Sequence, residues 1–202
     1  MKGAAFQFLI TLNHSKPKVW RRFLIDKNST FFDLHCAIQD SMGWSDSHLH
    51  DFFIFSKNLY TRIMLKHPED SWDRKKDLEE EKTKLLDIFP ELCKQLKYTY
   101  DMGDSWEHTV LFEKEVQTEE KLPKFIRGAN MCPFEDSGST FGWEEKLKIQ
   151  KNPKAPYYKE TRQWLGLEQG EYIDPSEFDP SEINFSDPKE KLIEWKEQLK
   201  NF

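Results

Sequence analysis

Residues 5–43, which decide the fold, read AFQFLITLNHSKPKVWRRFLIDKNSTFFDLHCAIQDSMG. The two stretches at 5–12 and 18–25 are rich in apolar and aromatic residues of the kind that strands prefer. The stretch between them, 13–17, supplies turn residues and ends in a proline. Two strand-like stretches around such a turn predict a β-hairpin over 5–25.

A helix is predicted directly after this hairpin. Thr30 and Asp33 have the spacing of a capping box, apolar residues follow at helical intervals, and Gly43 is a typical helix stop. A strand-like stretch then covers 48–55. Hairpin, helix and strand in this order resemble a β-grasp, so we expect an α+β fold with an antiparallel or mixed sheet and peripheral helices.

The rest of the chain is predicted to belong to the same single domain, 1–202. Charged and polar residues fill 66–82, which favours a solvent-exposed insertion. The other predicted elements are a short helix capped by Thr83, strands at 96–100 and 107–116, a mostly irregular stretch at 117–140, and helices at 141–150 and 187–200.

Composition excludes several classes of protein. The formal net charge of −6 argues against a protein that holds duplex nucleic acid by charge alone. No apolar run approaches the roughly 20 residues of a membrane span, and no signal peptide is evident, so no membrane partner is expected. The three cysteines (Cys36, Cys93 and Cys132) form no C-x-x-C pair, which indicates reduced thiols and a cytoplasmic location.

Histidines and aspartates concentrate in two clusters. His48 and His50 are two residues apart, so they share a face if both lie on a strand. Asp101 and Asp104 lie in a turn just before His108. Such side chains bind divalent metals or transfer protons, and the metal ligands predicted from them are His48, His50, Asp104 and His108.

The same clusters also have a structural interpretation, which the sequence leaves open. Asp-x-Gly-Asp is a common turn whose aspartates accept hydrogen bonds from backbone amides, and a histidine at a strand end is often a hydrogen-bonded core residue. In that turn we expect Asp101 to cap amides, Gly103 to have positive φ, and Asp104 to raise the pKa of His108 by accepting its N–H. The residues predicted to line one polar cleft are His35, Gln39, His48, His50, Asp101, Asp104, Trp106, His108, Glu135 and Asp136.

Two further segments carry reactive groups. Arg21 and Arg22 beside Trp20 are candidates for binding an anion or nucleic acid, although strand alternation also favours pairing of one arginine with a nearby carboxylate. The loop that begins at Cys132 offers a thiol close to two carboxylates. A nucleophilic cysteine would need a base such as His108 nearby, and the alternative is a structural loop.

Three motifs make the chain similar to a known family: WRR at 20–22, GW…HLH at 43–50 and YDMGDSWEH at 100–108. With the Cys-Pro loop, WLG at 164–166 and FDP at 178–180, the chain resembles the plasmid pRiA4b ORF-3-like family, also labelled insertion-element passenger TnpR-like, from about residue 6 to about residue 185. The resemblance implies a small α+β protein of uncharacterised function with a link to mobile elements. Nothing in the chain matches the activated serine and arginines of a serine resolvase.

The chain departs from the family pattern in one loop, which usually reads Cys-Pro-Pro-Glu-Asp-Cys-Gly-Gly. Phe134, Ser137 and Ser139 replace the second proline, the second cysteine and the second glycine. A zinc or disulfide site built on two thiols is therefore not expected here.

These observations predict a soluble binding or interaction module whose polar cleft takes a small ligand, a peptide or a nucleotide. One alternative is a hydrolase or nuclease that uses a divalent metal in the same His/Asp cluster. The other is a DNA-associated accessory protein of mobile elements that uses Arg21 and Arg22.

Overall fold

The computed structural model of the chain describes residues 3–56, 59–65 and 77–199. In these residues, eight strands form one sheet, with five α-helices and one 3₁₀ turn around it. The strands are β1 (Gly3–Leu12), β2 (Trp20–Asp26), β3 (His50–Ser56), β4 (Leu59–Met64), β5 (Leu78–Glu79), β6 (Gln95–Tyr100), β7 (Trp106–Thr118) and β8 (Lys124–Ala129). The helices are α1 (Phe31–Met42), α2 (Leu85–Ile88), α3 (Ser139–Ile149), α4 (Tyr158–Trp164) and α5 (Pro188–Leu199), and the 3₁₀ turn is Pro180–Glu182.

The sheet is mixed and open, with the strand order β5-β4-β3-β6-β7-β1-β2-β8. Every neighbouring pair is antiparallel except β4 with β5. This arrangement confirms the predicted α+β class and the hairpin that starts it. The strand after the helix, β3, pairs with β6, so β6 and β7 separate it from the hairpin.

Helix α1 covers one face of the sheet. Its capping box is present as predicted: the Thr30 hydroxyl accepts a hydrogen bond from Asp33 N (3.2 Å), and the Asp33 carboxylate accepts one from Thr30 N (2.8 Å). Gly43 ends the helix with φ of 80°, a conformation that favours glycine. The helix buries Phe31 against Phe52 of β3, with ring centroids 5.1 Å apart, inside a core rich in phenylalanine.

Several elements differ from the prediction, for identifiable reasons. The stretch 117–140 contains β8, an edge strand whose charged residues resemble a loop, and β7 itself runs on to Thr118. Helix α2 starts after Lys84, because the Thr83 hydroxyl donates to Glu79 O instead of capping it. Strand β4 and helix α4 were not predicted, and α3 and β3 each begin two residues away from their expected positions.

In the charged segment 66–82, residues 66–76 lie outside the described residues. Its last part does not match a solvated insertion. Leu78 and Glu79 form β5, and Glu80 beside them is completely buried. Burial of a carboxylate requires a partner, and Glu80 has one in the site described below.

Candidate functional site

The motifs of the sequence meet at one end of the sheet. His50 lies opposite Tyr100 in the β3–β6 ladder, so the residues before β3 and the residues after β6 are neighbours. The backbone confirms this, because Asp101 N donates to Leu49 O at 2.9 Å. The turn after β6 and the segment after α1 therefore share one edge of the molecule.

Hydrogen bonds attach the loop 132–138 to this edge. Trp44 Nε1 donates to Pro133 O (2.9 Å), and the Glu135 carboxylate accepts bonds from Ser45 N (2.8 Å), from the Ser45 hydroxyl (2.7 Å) and from the Tyr100 hydroxyl. The Asp104 carboxylate accepts a bond from Gly138 N at 2.8 Å. The turn 101–105, the segment 44–48 and the loop are thus fixed relative to one another.

His48, Asp101 and Asp136, which we call the outer group, lie where these segments meet. His48 Nε2 is 3.3 Å from Asp136 Oδ1 and 3.8 Å from Asp101 Oδ2, and one ligand atom from each residue lies within 4.8 Å of the others. The Asp136 side chain is 72% exposed, whereas Asp101 is largely covered. Among the described residues, His48 Nε2 has no hydrogen-bond partner.

A second group, which we call the buried group, consists of His35, His50 and Glu80. The two imidazole rings stack in parallel, with centroids 3.4 Å apart and an interplanar angle of 3°. His50 Nε2 lies 2.9 Å from both oxygens of Glu80. His35 Nε2 lies 2.8 Å from Asp46 Oδ1, and His35 Nδ1 lies 2.8 Å from the Tyr98 hydroxyl.

The hydrogen bonds of the buried group assign its protons. Gln39 Nε2 donates to the Tyr98 hydroxyl at 2.8 Å, so the Tyr98 proton is available for His35 Nδ1. His35 then donates from Nε2 to Asp46 as a neutral ring. Burial, reinforced by the nearby His50, lowers the pKa of His35. Burial also opposes a charge on His50, but the Glu80 carboxylate outweighs it and raises the pKa of His50, so of the two rings His50 binds a proton more readily.

His108 is separate from both groups. It is completely buried, its Nδ1 lies 3.0 Å from Trp106 O, and its ring packs against Tyr98 and Trp44. Burial lowers the pKa of His108 to about 4. The expected partner, Asp104, binds Gly138 N instead, so the predicted rise of the His108 pKa is corrected to a fall.

The predicted metal ligands are therefore distributed over the site. His48 belongs to the outer group and His50 to the buried group, because β3 begins only at His50 and the two residues do not share a strand face. Asp104 and His108 belong to neither group. The predicted single cleft is thus divided into an exposed edge and a closed interior.

The turn after β6 matches one part of its prediction. Asp101 Oδ1 accepts a hydrogen bond from Gly103 N at 2.8 Å, as expected of a capping aspartate. The positive φ, however, belongs to Asp101 (55°) and not to Gly103. Aspartate tolerates this left-handed conformation because its short side chain bonds the local backbone.

The two arginines do not present free guanidinium groups. Arg21 is 1% exposed and donates four hydrogen bonds to the carbonyls of Ser41, Trp20, Ala129 and Asn130, at 2.7–3.0 Å. Burial lowers its pKa to about 10. Arg22 forms a two-bond ion pair with Glu113, at 2.7 Å for both bonds, as the pairing alternative predicted.

Cys132 also lies in the interior of the protein. It is buried and unoxidised, and burial raises its pKa to about 12. A thiol with such a pKa is not an activated nucleophile at neutral pH. The loop that contains it therefore has the properties of the structural alternative.

A cleft of about 510 Å³ has in its lining Glu135, the sequence neighbour of Asp136 of the outer group. It lies between the end of α1, the loop 131–135 and the segment 177–183. Its aromatic lining comes from Trp44, Phe134 and Phe178, and its carboxylates come from Asp40, Glu135, Glu177, Asp179 and Glu182. Arg21 also contributes to the lining, beneath the Phe178 ring, whose centroid is 3.8 Å from the guanidinium carbon.

Sequence reasoning missed the partners that define both groups. Glu80 stands in a run of three glutamates, and nothing in that run distinguishes the buried one. Asp46 and Ser45 follow the predicted helix in a segment without periodicity. Tyr98 and Tyr100 alternate along a predicted strand, which was a usable signal, since alternate residues on a half-buried strand face the core.

Comparisons with known proteins agree with the family resemblance of the sequence motifs. A sequence model of the family described as plasmid pRiA4b ORF-3-like protein matches residues 4–185. The uncharacterised protein y4hQ of Sinorhizobium fredii is 28% identical over 190 residues, which cover 92% of this chain and 89% of the relative. The crystal structure of a protein of unknown function, MM3350 from Methanosarcina mazei Go1, is 33% identical, with a TM-score of 0.78 over 90% of this chain and 98% of that one.

No helix in the described part of the chain has both the length and the apolar character needed to cross a membrane.

Proposed function

Because the chain belongs to the plasmid pRiA4b ORF-3-like family, whose members compared above have no assigned function, we propose its activity from its own geometry. The proposal is a binding module whose cleft receives a positively charged amine, either a free amine or a lysine side chain of a peptide. The observation that carries it is the lining of the cleft, in which five carboxylates and three aromatic rings face a volume of about 510 Å³.

Three free cysteines support a reducing compartment such as the cytoplasm.

Charge favours an amine over the other predicted ligands. The cleft has five carboxylates and one guanidinium, and that guanidinium already donates to four carbonyls. A phosphate group entering this field would meet repulsion, which disfavours a nucleotide. An ammonium group would gain attraction from the carboxylates and from the faces of the aromatic rings.

Some carboxylates are better placed than others to receive the ligand. Asp40, Glu135 and Asp179 already accept hydrogen bonds from serine groups of the chain, which hold them in position. The side chains of Glu177 and Glu182 have no such partner among the described residues. We therefore expect these two residues to supply most of the attraction.

The test is calorimetric titration of the full chain with two probes, spermidine for a free amine and a trilysine peptide for a lysine side chain. The Glu177→Gln/Glu182→Gln double variant should weaken binding of the effective probe by about tenfold or more, since two close ion pairs are lost. The Glu190→Gln/Glu194→Gln variant removes the same charge from the exposed face of α5 and should bind like the wild type. Equal weakening by both variants, or no binding of either probe, would contradict the proposal.

A further inference from the structure

We propose that the outer group binds one divalent transition-metal ion through His48 Nε2, Asp101 Oδ2 and Asp136 Oδ1. This site is independent of the amine proposal, although Glu135 in the cleft and Asp136 in the outer group are neighbours in sequence. Of the four ligands predicted from the sequence only His48 belongs to this set, and the other two members are Asp101 and Asp136. It comes from the packing of three separate segments.

The spacing of the three atoms suits a metal. Nitrogen and oxygen ligands lie about 2.0–2.2 Å from zinc, so two ligands of a tetrahedral site lie about 3.4 Å apart. The distances of 3.3 and 3.8 Å from the His48 nitrogen to the two carboxylate oxygens are close to this value. Small movements of the exposed Asp136 side chain would complete the geometry.

The carboxylates of the outer group also lack a cationic side chain as a partner among the described residues. Two carboxylate oxygens come within 4.8 Å of each other, and neither has a lysine or arginine partner among the described residues. The imidazole nitrogen beside them is shielded from solvent and has no hydrogen-bond partner there. A cation between the three atoms would satisfy all of them at once.

The surrounding contacts hold the ligands in place. The second oxygen of Asp101 accepts the bond from Gly103 N, which fixes the orientation of that carboxylate. The bonds from Gly138 N to Asp104 and from Ser45 to Glu135 fix the loop that carries Asp136. Such outer contacts are what keep a metal site preorganised.

The buried group is a poorer site, although it offers two histidines and a carboxylate. Both ring nitrogens of His35 already have partners, and His50 Nε2 is shared by the two oxygens of Glu80. The two rings are parallel with centroids 3.4 Å apart, so their in-plane lone pairs lie in two separate parallel planes and do not converge on one ion.

Ligand chemistry indicates the class of ion. One imidazole and two carboxylates suit Zn²⁺ or Mn²⁺, and the Irving–Williams order gives Zn²⁺ the higher affinity. Three protein ligands leave at least one coordination position for water.

The test uses the full chain and the ions alone. Native mass spectrometry and calorimetry should find one Zn²⁺ per chain. Asp136→Asn and His48→Gln should each weaken binding by about tenfold or more, because each removes one ligand. Mn²⁺ should broaden the amide NMR signals around residues 48, 101 and 136, and should leave those of β8 sharp.

Two controls make the result specific. His14→Gln removes an exposed histidine from the β1–β2 turn and should leave the affinity unchanged. The Glu177→Gln/Glu182→Gln variant should bind Zn²⁺ like the wild type, so the cleft and the metal site are tested separately. Absence of binding, unchanged affinity in both ligand variants, or broadening centred on His35 and His50 would overturn the proposal.

Discussion

The outer group and the buried group contain the same chemistry in two environments. Each combines imidazole with carboxylate, and His48 and His50 are only two residues apart in the sequence. In the buried group, every ring nitrogen of His35 and the Nε2 of His50 have partners at 2.8–2.9 Å. In the outer group, the His48 nitrogen has contacts of 3.3 and 3.8 Å and, within the described part of the chain, no hydrogen bond.

The difference shows what burial requires of a histidine and its carboxylate partners. A charge in the interior is tolerated only when hydrogen bonds and an opposite charge compensate for its lost hydration. The buried group meets that condition within the protein, so breaking one of its contacts would leave an uncompensated polar group in the interior. In the outer group water reaches Asp136, whereas the His48 nitrogen is shielded from solvent and has no hydrogen bond among the described residues, so its atoms are left available for a ligand.

The largest expected effect follows from removing the carboxylate of the buried group. Glu80→Ala leaves His50 in the interior without the carboxylate that raises its pKa, and breaking such a buried pair costs about 3–5 kcal/mol of the free energy of unfolding. Urea denaturation at neutral pH measures the change. It should be the largest effect of any single carboxylate discussed here.

The neighbouring residue provides a matched control for this experiment. Glu81 belongs to the same run of glutamates and forms an ion pair with Lys196 near the surface. Glu81→Ala should cost about 1 kcal/mol or less, as for other surface pairs. If both substitutions cost the same, the distinction between buried and exposed carboxylates is wrong for this molecule.

The second prediction concerns a buried imidazole without a carboxylate. The pKa of His108 falls from 6.5 to about 4 on folding, so between these pH values the unfolded chain binds a proton that the folded chain does not. Stability is therefore lost as the pH falls from 6.5 to 4, by about 3 kcal/mol from this residue. Unfolding measured across this range should show a shallower pH dependence in His108→Gln than in the wild type.

The contribution of His50 to stability should depend on pH in the opposite direction. Its pKa is raised on folding, so its contribution to stability is complete below about pH 6.5 and is lost as the pH rises through the pKa of the folded state. NMR titration of the ring protons would distinguish the two residues directly. Parallel pH dependence of His50 and His108 would contradict the role given to Glu80.

Much of the fold could be predicted because local signals agreed with it. The hairpin, the capping box at Thr30 and the stop at Gly43 are short-range features, and the structure contains all three. Strand β8 could not be predicted in this way, because it is a short edge strand without apolar alternation and its identity depends on pairing with β2. Gly128 shows this dependence: a Cβ there would lie 2.8 Å from Trp20 O.

The site was harder to predict than the fold. The motifs named the correct segments, but the partners of each side chain come from distant parts of the chain, such as Glu80 for His50 and Asp136 for His48. Periodicity predicts which face a residue occupies and contains no information on these distant contacts. The two-residue shift in the start of β3 was enough to separate His48 from His50.

The next prediction concerns one of the contacts that hold the outer group together. Asp104→Ala removes the bond to Gly138 N, so the loop that carries Asp136 loses one attachment. The expected cost is about 1 kcal/mol in unfolding free energy, as for a single hydrogen bond. The titration of His108 should not move, since Asp104 does not contact it, and a downward shift would restore the pairing predicted from the sequence.

The smallest effect on stability is expected at Asp136 itself. Asp136→Asn keeps the size of the side chain and suits the left-handed backbone at this position, where φ is 59°. The side chain is mostly exposed and its contact with His48 is long, so the change should cost about 0.5 kcal/mol or less in urea denaturation with a chelator present. Adding Zn²⁺ should then stabilise the wild type more than the variant, because an ion that binds only the folded state raises stability by mass action. A large loss of stability with the chelator present would mean that Asp136 supports the fold as Glu80 does, and the contrast between the two groups would not hold.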